Sequence, residues 1–273
     1  MARGKRIALI GYGAIGEEIA ASARRLGEID RLCAVLVRPG REAGGLPAVH
    51  DVPGLLAARP DTVLECAGHG AVAQFGEEVL AGGVDLVVSS VGALTDEALA
   101  RRLLAAEAAG GGRLLVPAGA AAGLDGLAAA RLAGLQEVTY ESHKPPHAWK
   151  GTPAERLIDL NAPVEEQVFF EGTAREAAAA YPKNANVSVA VSLAGLGLDR
   201  TRVWLISSRK VTDPLGVITA RGDFGTFVFE IFARAAPSNP KTSALTAHSL
   251  LQCARLGIGL PVAAVAPDLF SAA

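Results

Sequence analysis

IALIGYGAIG, residues 7–16, is the stretch of sequence that decides the fold of this chain. Its first four residues are apolar and predict a buried strand, and the residues after Gly16 favour a helix. Gly11, Gly13 and Gly16 have the spacing of the turn that holds the pyrophosphate of a dinucleotide. The first glycine permits a tight turn, the second lets the backbone approach the phosphates, and the third lets the helix pack closely on the strand. We therefore expect NAD or NADP to contact Gly11, Gly13, Ala14, Ile15 and Gly16.

The rest of the first part of the chain alternates short apolar runs with helical stretches. Strands are predicted at residues 32–37, 62–66, 84–89 and 113–117, and helices at 17–26, around 77–80 and at 96–109. Such alternation is typical of a parallel sheet with helices on both faces. The predicted fold class of residues 1–118 is therefore α/β, a Rossmann-type doubly wound parallel sheet that forms a dinucleotide-binding domain.

The pattern changes after residue 118. Several of the later apolar runs alternate apolar and polar residues, and strands are predicted at 138–142, 168–170, 187–193, 202–206 and 227–232. Alternation favours a mainly antiparallel sheet with one covered face, so residues 119–240 are expected to form a second domain of α+β type. Residues 241–256 have helical spacing, and we expect the C-terminal segment 241–273 to pack back on the first domain.

Composition narrows the range of partners. The formal net charge is −2, and this argues against nucleic acid or an anionic membrane surface as the main partner. The three cysteines, Cys33, Cys66 and Cys253, are far apart, so neither a disulfide framework nor a metal site is expected. The apolar run behind the basic N-terminus ends at Gly11 and is too short for a signal peptide or a membrane span. We expect a soluble cytoplasmic protein that acts on a small molecule.

The end of the second predicted strand bears on the choice of cofactor. An acidic residue at this point would bind the ribose 2′-hydroxyl of NAD, but the sequence here is VRPGR, residues 37–41. Arg38 could pair with the 2′-phosphate of NADP or stack on the adenine, or it could be an ordinary solvated loop residue. The sequence therefore favours NADP, with NAD as the alternative.

Ordered sequence blocks along nearly the whole chain resemble the L-aspartate dehydrogenase family. They include ECAGH at 65–69, SSVGAL at 89–94, PAGA at 117–120, LDGL at 124–127, KPP at 144–146, GTP at 151–153, YPKNANV at 181–187 and NPKTS at 239–243. The resemblance implies an enzyme that interconverts L-aspartate and iminosuccinate, hence oxaloacetate and ammonia, with NAD or NADP. It also implies a homodimer, in which the second domain supplies the substrate floor and the dimer interface.

The resemblance also assigns roles to individual residues. Ala120 and Asn186 fall at positions where the family contacts the dinucleotide, and the Asn186 amide could hold the nicotinamide carboxamide through its donor and its acceptor. Cys66 and Ala67 end the strand predicted at 62–66, where small residues pack near the cofactor. Packing is a better explanation of Cys66 than nucleophilic chemistry, because nothing nearby favours its thiolate.

A dicarboxylate substrate needs cations that hold it, preferably two. Lysines and polar residues in the family-like blocks are the candidates, together with a histidine at the carboxyl edge of the first sheet. The predicted substrate-binding residues are His69, Lys144, Asn184, Lys241 and Thr242. A surface position is the alternative for each lysine, and Lys241 could instead support the start of the last helix.

One residue that the resemblance leads us to expect is missing. The family has a catalytic histidine six positions before a Gly-x-Phe-Gly turn, and this turn is present at residues 222–225. Counting back six positions from Gly222 gives Gly216, and no histidine occurs between His147 and His248. A histidine suits the proton transfers of amine oxidation because its pKa is near neutrality. The catalytic group is therefore open, with His69 as one candidate.

Three functions remain after this reading. The first is an NAD(P)-dependent amino acid dehydrogenase that acts on the CH–NH2 group of L-aspartate. The second is a divergent imine reductase or amine dehydrogenase, in which Gly216 enlarges the pocket for a bulkier substrate. The third is a protein that binds a dinucleotide without turnover. The presence of the substrate-binding blocks argues against the third, because a nucleotide sensor has no use for them.

Overall fold

The computed structural model describes residues 4–236 and 239–265, which form two compact units. The described part of the first unit consists of residues 4–119 and 246–264, and that of the second consists of residues 120–236, 239–245 and 265. No helix in these ranges is long and apolar enough to cross a membrane.

Strands and helices alternate in the first part of the chain. They are β1 (Ile7–Ile10), α1 (Ala14–Arg25), β2 (Leu32–Leu36), β3 (Ala48–Val49), α2 (Val52–Ala57), β4 (Thr62–Glu65), α3 (His69–Ala81), β5 (Asp85–Val88), α4 (Glu97–Gly110) and β6 (Leu114–Val116).

The remaining elements contain longer strands. They are α5 (Leu124–Leu132), β7 (Leu135–Lys144), β8 (Glu166–Thr173), α6 (Ala174–Ala180), α7 (Asn186–Ala194), β9 (Thr201–Ser208), β10 (Leu215–Gly222), β11 (Gly225–Phe232), β12 (Ala235–Ala236), β13 (Asn239–Ser243), α8 (Ala244–Leu256), β14 (Leu260–Pro261) and α9 (Val262–Val265).

The sheet of the first unit has the strand order β14-β6-β5-β4-β1-β2-β3. Strands β1 to β6 are parallel to their neighbours, and β14 pairs antiparallel with β6 at one edge. This places the six parallel strands in the order 3-2-1-4-5-6 of the Rossmann fold, in which ligands bind where the order reverses, at the carboxyl ends of β1 and β4. The predicted doubly wound parallel sheet is confirmed.

Local sequence signals start helices in both units. The Asp96 carboxylate accepts a hydrogen bond from the Leu99 N–H at 3.1 Å and caps α4. Thr173 and Glu176 form a reciprocal capping box at the start of α6. Such caps satisfy N–H groups that have no partner within the helix.

The C-terminal helix α8 contributes to the core of the first unit. Its buried residues Ala247, Leu250 and Leu251 lie in one hydrophobic cluster with Ile7 and Leu9 of β1. An ion pair between Arg255 Nε and Glu28 Oε2, 2.9 Å long, lies at the end of this helix. Helix α8 therefore packs on the sheet that the N-terminal strands form. Residues 266–273 of the predicted C-terminal segment lie outside the described residues.

The sheet of the second unit has the order β11-β10-β7-β9-β8. β10 pairs antiparallel with both β11 and β7, β8 pairs antiparallel with β9, and β7 and β9 are parallel. The mainly antiparallel sheet that the sequence predicts is thus confirmed. Helices α5 and α7 contact β7 on the face that carries the buried side chains of Val138 and Tyr140.

One prediction of secondary structure in this unit is wrong, and one strand is not predicted. Residues 187–193 are predicted as a strand but lie in helix α7, where every residue from Ser188 to Ala194 is buried. A fully buried helix has no polar face, so its valines alternate with small residues as they would in a strand, and tertiary packing overrides their β propensity. Strand β10 is not predicted, because Gly216 and Gly222 interrupt the apolar pattern.

The start of the last helix also differs from its prediction. Helical spacing is predicted from residue 241, but α8 begins at Ala244 and residues 239–243 form β13, which pairs with β12. The hydrogen bonds between these two short strands hold the backbone extended up to Ser243. Boundaries of elements are the least certain part of a prediction from one sequence.

Candidate functional site

The glycine-rich turn joins β1 to α1 at the carboxyl edge of the first sheet. Gly11 has a φ of +92°, and a Cβ there would lie 2.7 Å from the Cβ of Ala67. A Cβ at Gly16 would lie 2.8 Å from the carbonyl oxygen of Gly11. Both contacts are shorter than real Cβ atoms tolerate, so glycine is required at each position. No described atom lies within 4 Å of the place where a Cβ at Gly13 would stand.

This geometry fits a bound dinucleotide. Gly13 is the residue before α1, and its open surface lets a phosphate approach the backbone at the positive end of the helix. Ala14 and Ile15 form the first turn of α1 directly behind it. The residues that sequence analysis assigns to the pyrophosphate thus lie together around one open position.

Arg38 lies just beyond the carboxyl end of β2, the strand beside β1. Its side chain is exposed, and its carbonyl accepts a hydrogen bond from the Arg41 N–H at 3.1 Å. Arg38 therefore lies at the carboxyl edge of the sheet, the edge at which dinucleotides bind in this fold.

A buried carboxylate organises the opposite side of the turn. Glu65 ends β4 and is fully buried, and its Oε1 accepts hydrogen bonds from the N–H groups of Ala67 and Gly68, both at 2.7 Å. From the loop after β5, the Ser90 N–H donates to Oε2 at 3.0 Å and the Ser90 hydroxyl donates to Oε1 at 3.1 Å. One side chain therefore joins the loops that follow β4 and β5. It also fixes Ala67 against Gly11.

Residues 66–69 surround this carboxylate. Cys66 is half-buried, and its N–H donates to the carbonyl of Ile10 at 2.9 Å. Burial, with the neighbouring Glu65 carboxylate as a smaller effect, raises the pKa of the Cys66 thiol well above its usual value. A thiol in this state is a poor nucleophile, which agrees with a packing role. His69 is half-buried and begins α3.

In the second unit, the structure brings two predicted substrate-binding residues together. Lys144 ends β7, and its Nζ donates a 2.7 Å hydrogen bond to Oδ1 of Asn184. The ammonium lies 4.9 Å from the centre of the Trp149 ring. Burial lowers the pKa of Lys144 to about 8. Within the described ranges, no carboxylate forms an ion pair with this lysine.

The other predicted residues of this unit are more scattered. Asn186 is the first residue of α7 and lies two positions after Asn184, and Ala120 is half-buried in the turn after β6. The backbones of Lys241 and Thr242 lie in β13. Their side chains lie outside the described part of the structure, so their predicted role in substrate binding stays a prediction.

Gly216, at the position of the expected histidine, is the second residue of β10 and pairs with Ser142 of β7. A Cβ at Gly216 would lie 3.3 Å from Cε2 and 3.4 Å from the hydroxyl oxygen of Tyr140. Tyr140 therefore fills the space beside Gly216. This weighs against the idea that the glycine enlarges a pocket for a bulkier substrate.

The remaining histidines of the second unit do not replace the missing one. His143 places Nε2 3.0 Å from a Glu141 oxygen and Nδ1 3.3 Å from a Glu166 oxygen. As the neighbour of Lys144 on a strand, it points to the other face of the sheet. His147 is exposed.

Comparison with known proteins identifies the family. The chain is 45% identical over 260 residues to the L-aspartate dehydrogenase of Serratia proteamaculans, with 92% of this chain and 96% of that protein covered. It is 44% identical over 255 residues to the L-aspartate dehydrogenase of Ruegeria pomeroyi, with 92% and 91% covered. This chain belongs to the L-aspartate dehydrogenase family. The resemblance inferred from its sequence blocks is confirmed.

Two family models and one solved structure agree with this assignment. Residues 125–256 match the C-terminal domain of aspartate dehydrogenase, and residues 11–117 match the NAD-binding domain of homoserine dehydrogenase. The fold is similar to that of aspartate dehydrogenase from Thermotoga maritima, with a TM-score of 0.75, 24% identity, and 93% of this chain and 97% of that chain covered. The first unit of this family member is therefore a nicotinamide dinucleotide-binding domain.

Sequence reasoning missed the role of Glu65. In the sequence, Glu65 is the first residue of the ECAGH block. Its one distinguishing signal is an acidic residue at the end of an otherwise apolar strand, where a buried charge needs hydrogen-bond donors. Its partner Ser90 lies 25 positions away and cannot be assigned without the fold.

We expect the substitution Glu65→Gln to weaken dinucleotide binding about tenfold or more. A carboxamide has one acceptor oxygen, so it cannot accept from both Ala67 and the Ser90 N–H, and the loop beside Gly11 loses its anchor. Isothermal titration with NADPH measures the change. Glu77→Gln, on the exposed surface of α3, is the matched control. A folded Glu65→Gln variant with the affinity of the wild type would contradict the anchoring role.

Proposed function

We propose that this protein is an NAD(P)-dependent L-aspartate dehydrogenase, which interconverts L-aspartate and iminosuccinate, hence oxaloacetate and ammonia. The observation that carries the proposal is the half-buried ammonium of Lys144, which has no carboxylate partner in the described chain. A buried cation without a counter-ion is costly, and an anionic ligand compensates for that cost. The family of the chain supports a dicarboxylic amino acid as this ligand.

Each unit carries residues that we assign to this reaction. A dinucleotide, when bound, would supply the redox chemistry, as acceptor of hydride from the α-carbon of the amino acid or as its donor to the imine carbon. In the first unit, Gly11, Gly13 and Gly16 hold the pyrophosphate. In the second unit, Lys144 and Asn184 bind polar groups of the substrate. We assign Ala120 and Asn186 to the nicotinamide end of the cofactor and His69 to the substrate, as the family resemblance suggests.

We infer a preference for NADP over NAD from the second strand. Arg38 stands exposed just beyond β2, in a position where NAD-specific enzymes of this fold carry an acidic residue. A guanidinium pairs well with a phosphate through two parallel hydrogen bonds.

We also propose that the protein is a cytoplasmic homodimer. The face of the second sheet away from α5 and α7 carries Val228 of β11, with 51% of its surface exposed, and Phe232, with 74% exposed. Exposed apolar side chains on one sheet face are typical of an interface, and the family resemblance suggests a second copy. The described cysteines are all free, as expected in a reducing compartment.

A spectrophotometric assay at the absorbance of the reduced cofactor tests the function. The purified protein should oxidise NADPH, and NADH more slowly, with oxaloacetate and ammonia, and should reduce NADP with L-aspartate. A panel of other keto acids and amines covers the imine reductase alternative. Tight NADPH binding without turnover of any substrate would contradict the proposal and leave a protein that only binds the dinucleotide.

We expect Arg38→Ala to raise the KM for NADPH about tenfold or more and to leave the KM for NADH nearly unchanged, because only NADPH has a 2′-phosphate for the guanidinium. Steady-state kinetics with each cofactor measures the two values. Arg101→Ala, in an exposed ion pair on α4, is the control for loss of one surface arginine. Equal effects on both cofactors would contradict the phosphate contact.

A further inference from the structure

The face of β7 that lies beside Gly216 carries three polar side chains. In the antiparallel pair of β10 and β7, Gly216 stands opposite Ser142. Side chains two positions apart on a strand share a face, so Tyr140 and Lys144 flank Ser142 on this face as the diagonal neighbours of Gly216. The 3.3 Å approach of the Tyr140 ring to a Cβ at Gly216 agrees with this arrangement. Lys144 therefore shares this face of the sheet with the residue that stands in place of the histidine.

An aromatic cluster withdraws Lys144 from water. Trp149 is fully buried, and its Nε1 donates to the carbonyl of Ile206 at 3.1 Å, which fixes the ring that lies against the ammonium. Phe169 packs edge-on against Trp149 with ring centres 4.7 Å apart, and Tyr181 does so at 6.4 Å. The lysine is held in an apolar wall that disfavours its charged form.

The described groups that face Lys144 are neutral. They are Tyr140 and Ser142 on its own strand, Ser207 opposite it in β9, Trp149, and Asn184 from the turn before α7. The nearest charged cluster, His143 with Glu141, Glu166 and Lys210, lies on the opposite face of the sheet. Desolvation therefore acts on Lys144 without a compensating anion, and it lowers the pKa of the amine to about 8.

Other groups on this face are less suited to exchange a proton near neutral pH. Burial raises the pKa of Tyr140 to about 12, so the phenol keeps its proton. Ser142 is a neutral hydroxyl, which holds its proton near neutral pH. An efficient general acid or base has a pKa near the working pH.

We propose that Lys144 is the proton-transfer residue of the amine–imine reaction, a role that rests on the function proposed above. In the direction of reduction, an N–H bond of the Lys144 ammonium breaks, and its proton forms a new N–H bond on the imine nitrogen. The lysine becomes a neutral amine, and the protonated imine is the form whose carbon can accept hydride. In the direction of oxidation, the neutral Lys144 amine takes one proton from the nitrogen of the substrate.

The direction of the pH dependence follows from these protonation states. Aspartate oxidation needs the neutral amine, so kcat should rise with pH through about 8. Imine reduction needs the ammonium, so kcat in that direction should fall as the pH rises through the same value. A lysine that supplies only positive charge for a carboxylate would favour the low-pH form in both directions.

The ionisation of Lys144 can be measured without turnover or cofactor. Competitive acylation of the wild-type chain with a trace of acetic anhydride across the pH range, followed by peptide mass spectrometry, gives the titration midpoint of each lysine. We expect a midpoint near 8 for Lys144 and a higher one for Lys210, because the hydrogen bond to Glu166 raises the pKa of that lysine. A midpoint of Lys144 equal to that of Lys210 would overturn the proposal, whatever the variants do.

Two substitutions separate proton transfer from charge. Lys144→Arg keeps the positive charge but cannot release its proton, whereas Lys144→Met removes both. If Lys144 transfers the proton, kcat falls about 10²–10⁴-fold in both variants. The change of kcat with pH near 8 also disappears. Lys150→Met, a matched change at an exposed lysine, should retain the activity of the wild type.

The outcomes distinguish this proposal from the function on which it rests. Retention of most of the wild-type kcat by Lys144→Arg would overturn the proton-transfer role and leave the dehydrogenase function intact. Absence of aspartate turnover by the wild type would instead remove the proposed function. Circular dichroism of each variant confirms that a loss of kcat is measured on folded protein.

Discussion

The backbone of the first unit approaches itself so closely at Gly11 and Gly16 that neither position has room for a side chain. A Cβ at Gly11 would stand 2.7 Å from Ala67, and one at Gly16 would stand 2.8 Å from the Gly11 carbonyl. These contacts bring the start of α1 against the carboxyl ends of β1 and β4, where the strand order of the sheet reverses. The open space at Gly13 then becomes a place where phosphates meet backbone N–H groups.

Two charged side chains, Glu65 in the first unit and Lys144 in the second, are treated in opposite ways. The Glu65 carboxylate receives four hydrogen bonds from two loops and is thereby fully compensated. Among the described residues, the Lys144 ammonium contacts the neutral amide of Asn184 and the ring of Trp149 but no carboxylate. A satisfied buried charge rigidifies the structure around it, whereas an uncompensated one is available for a ligand or for proton exchange. We therefore assign an anchoring role to the first and a chemical role to the second.

Much of this architecture could be predicted from the sequence, because the glycine turn and the strand–helix alternation are local signals. The doubly wound parallel sheet follows from them. The helix at 186–194 could not be predicted, since its burial on all sides removes the periodic polar face. Hydrogen bonds between residues distant in the sequence could not be predicted either. Lys144 donates to Asn184, which is 40 positions away, and Ser90 donates to Glu65, which is 25 positions away.

Direct transfer of hydrogen from the α-carbon of aspartate to the cofactor is the central claim of this account. To measure this transfer, the protein is incubated with NADP and with L-aspartate that carries deuterium at the α-carbon. Mass spectrometry of the cofactor then shows how much deuterium it has gained. We predict reduced cofactor that contains one deuterium atom per molecule, because the hydride leaves the α-carbon without exchange with water. Reduced cofactor that contains no deuterium, or no reduction at all, would contradict the account.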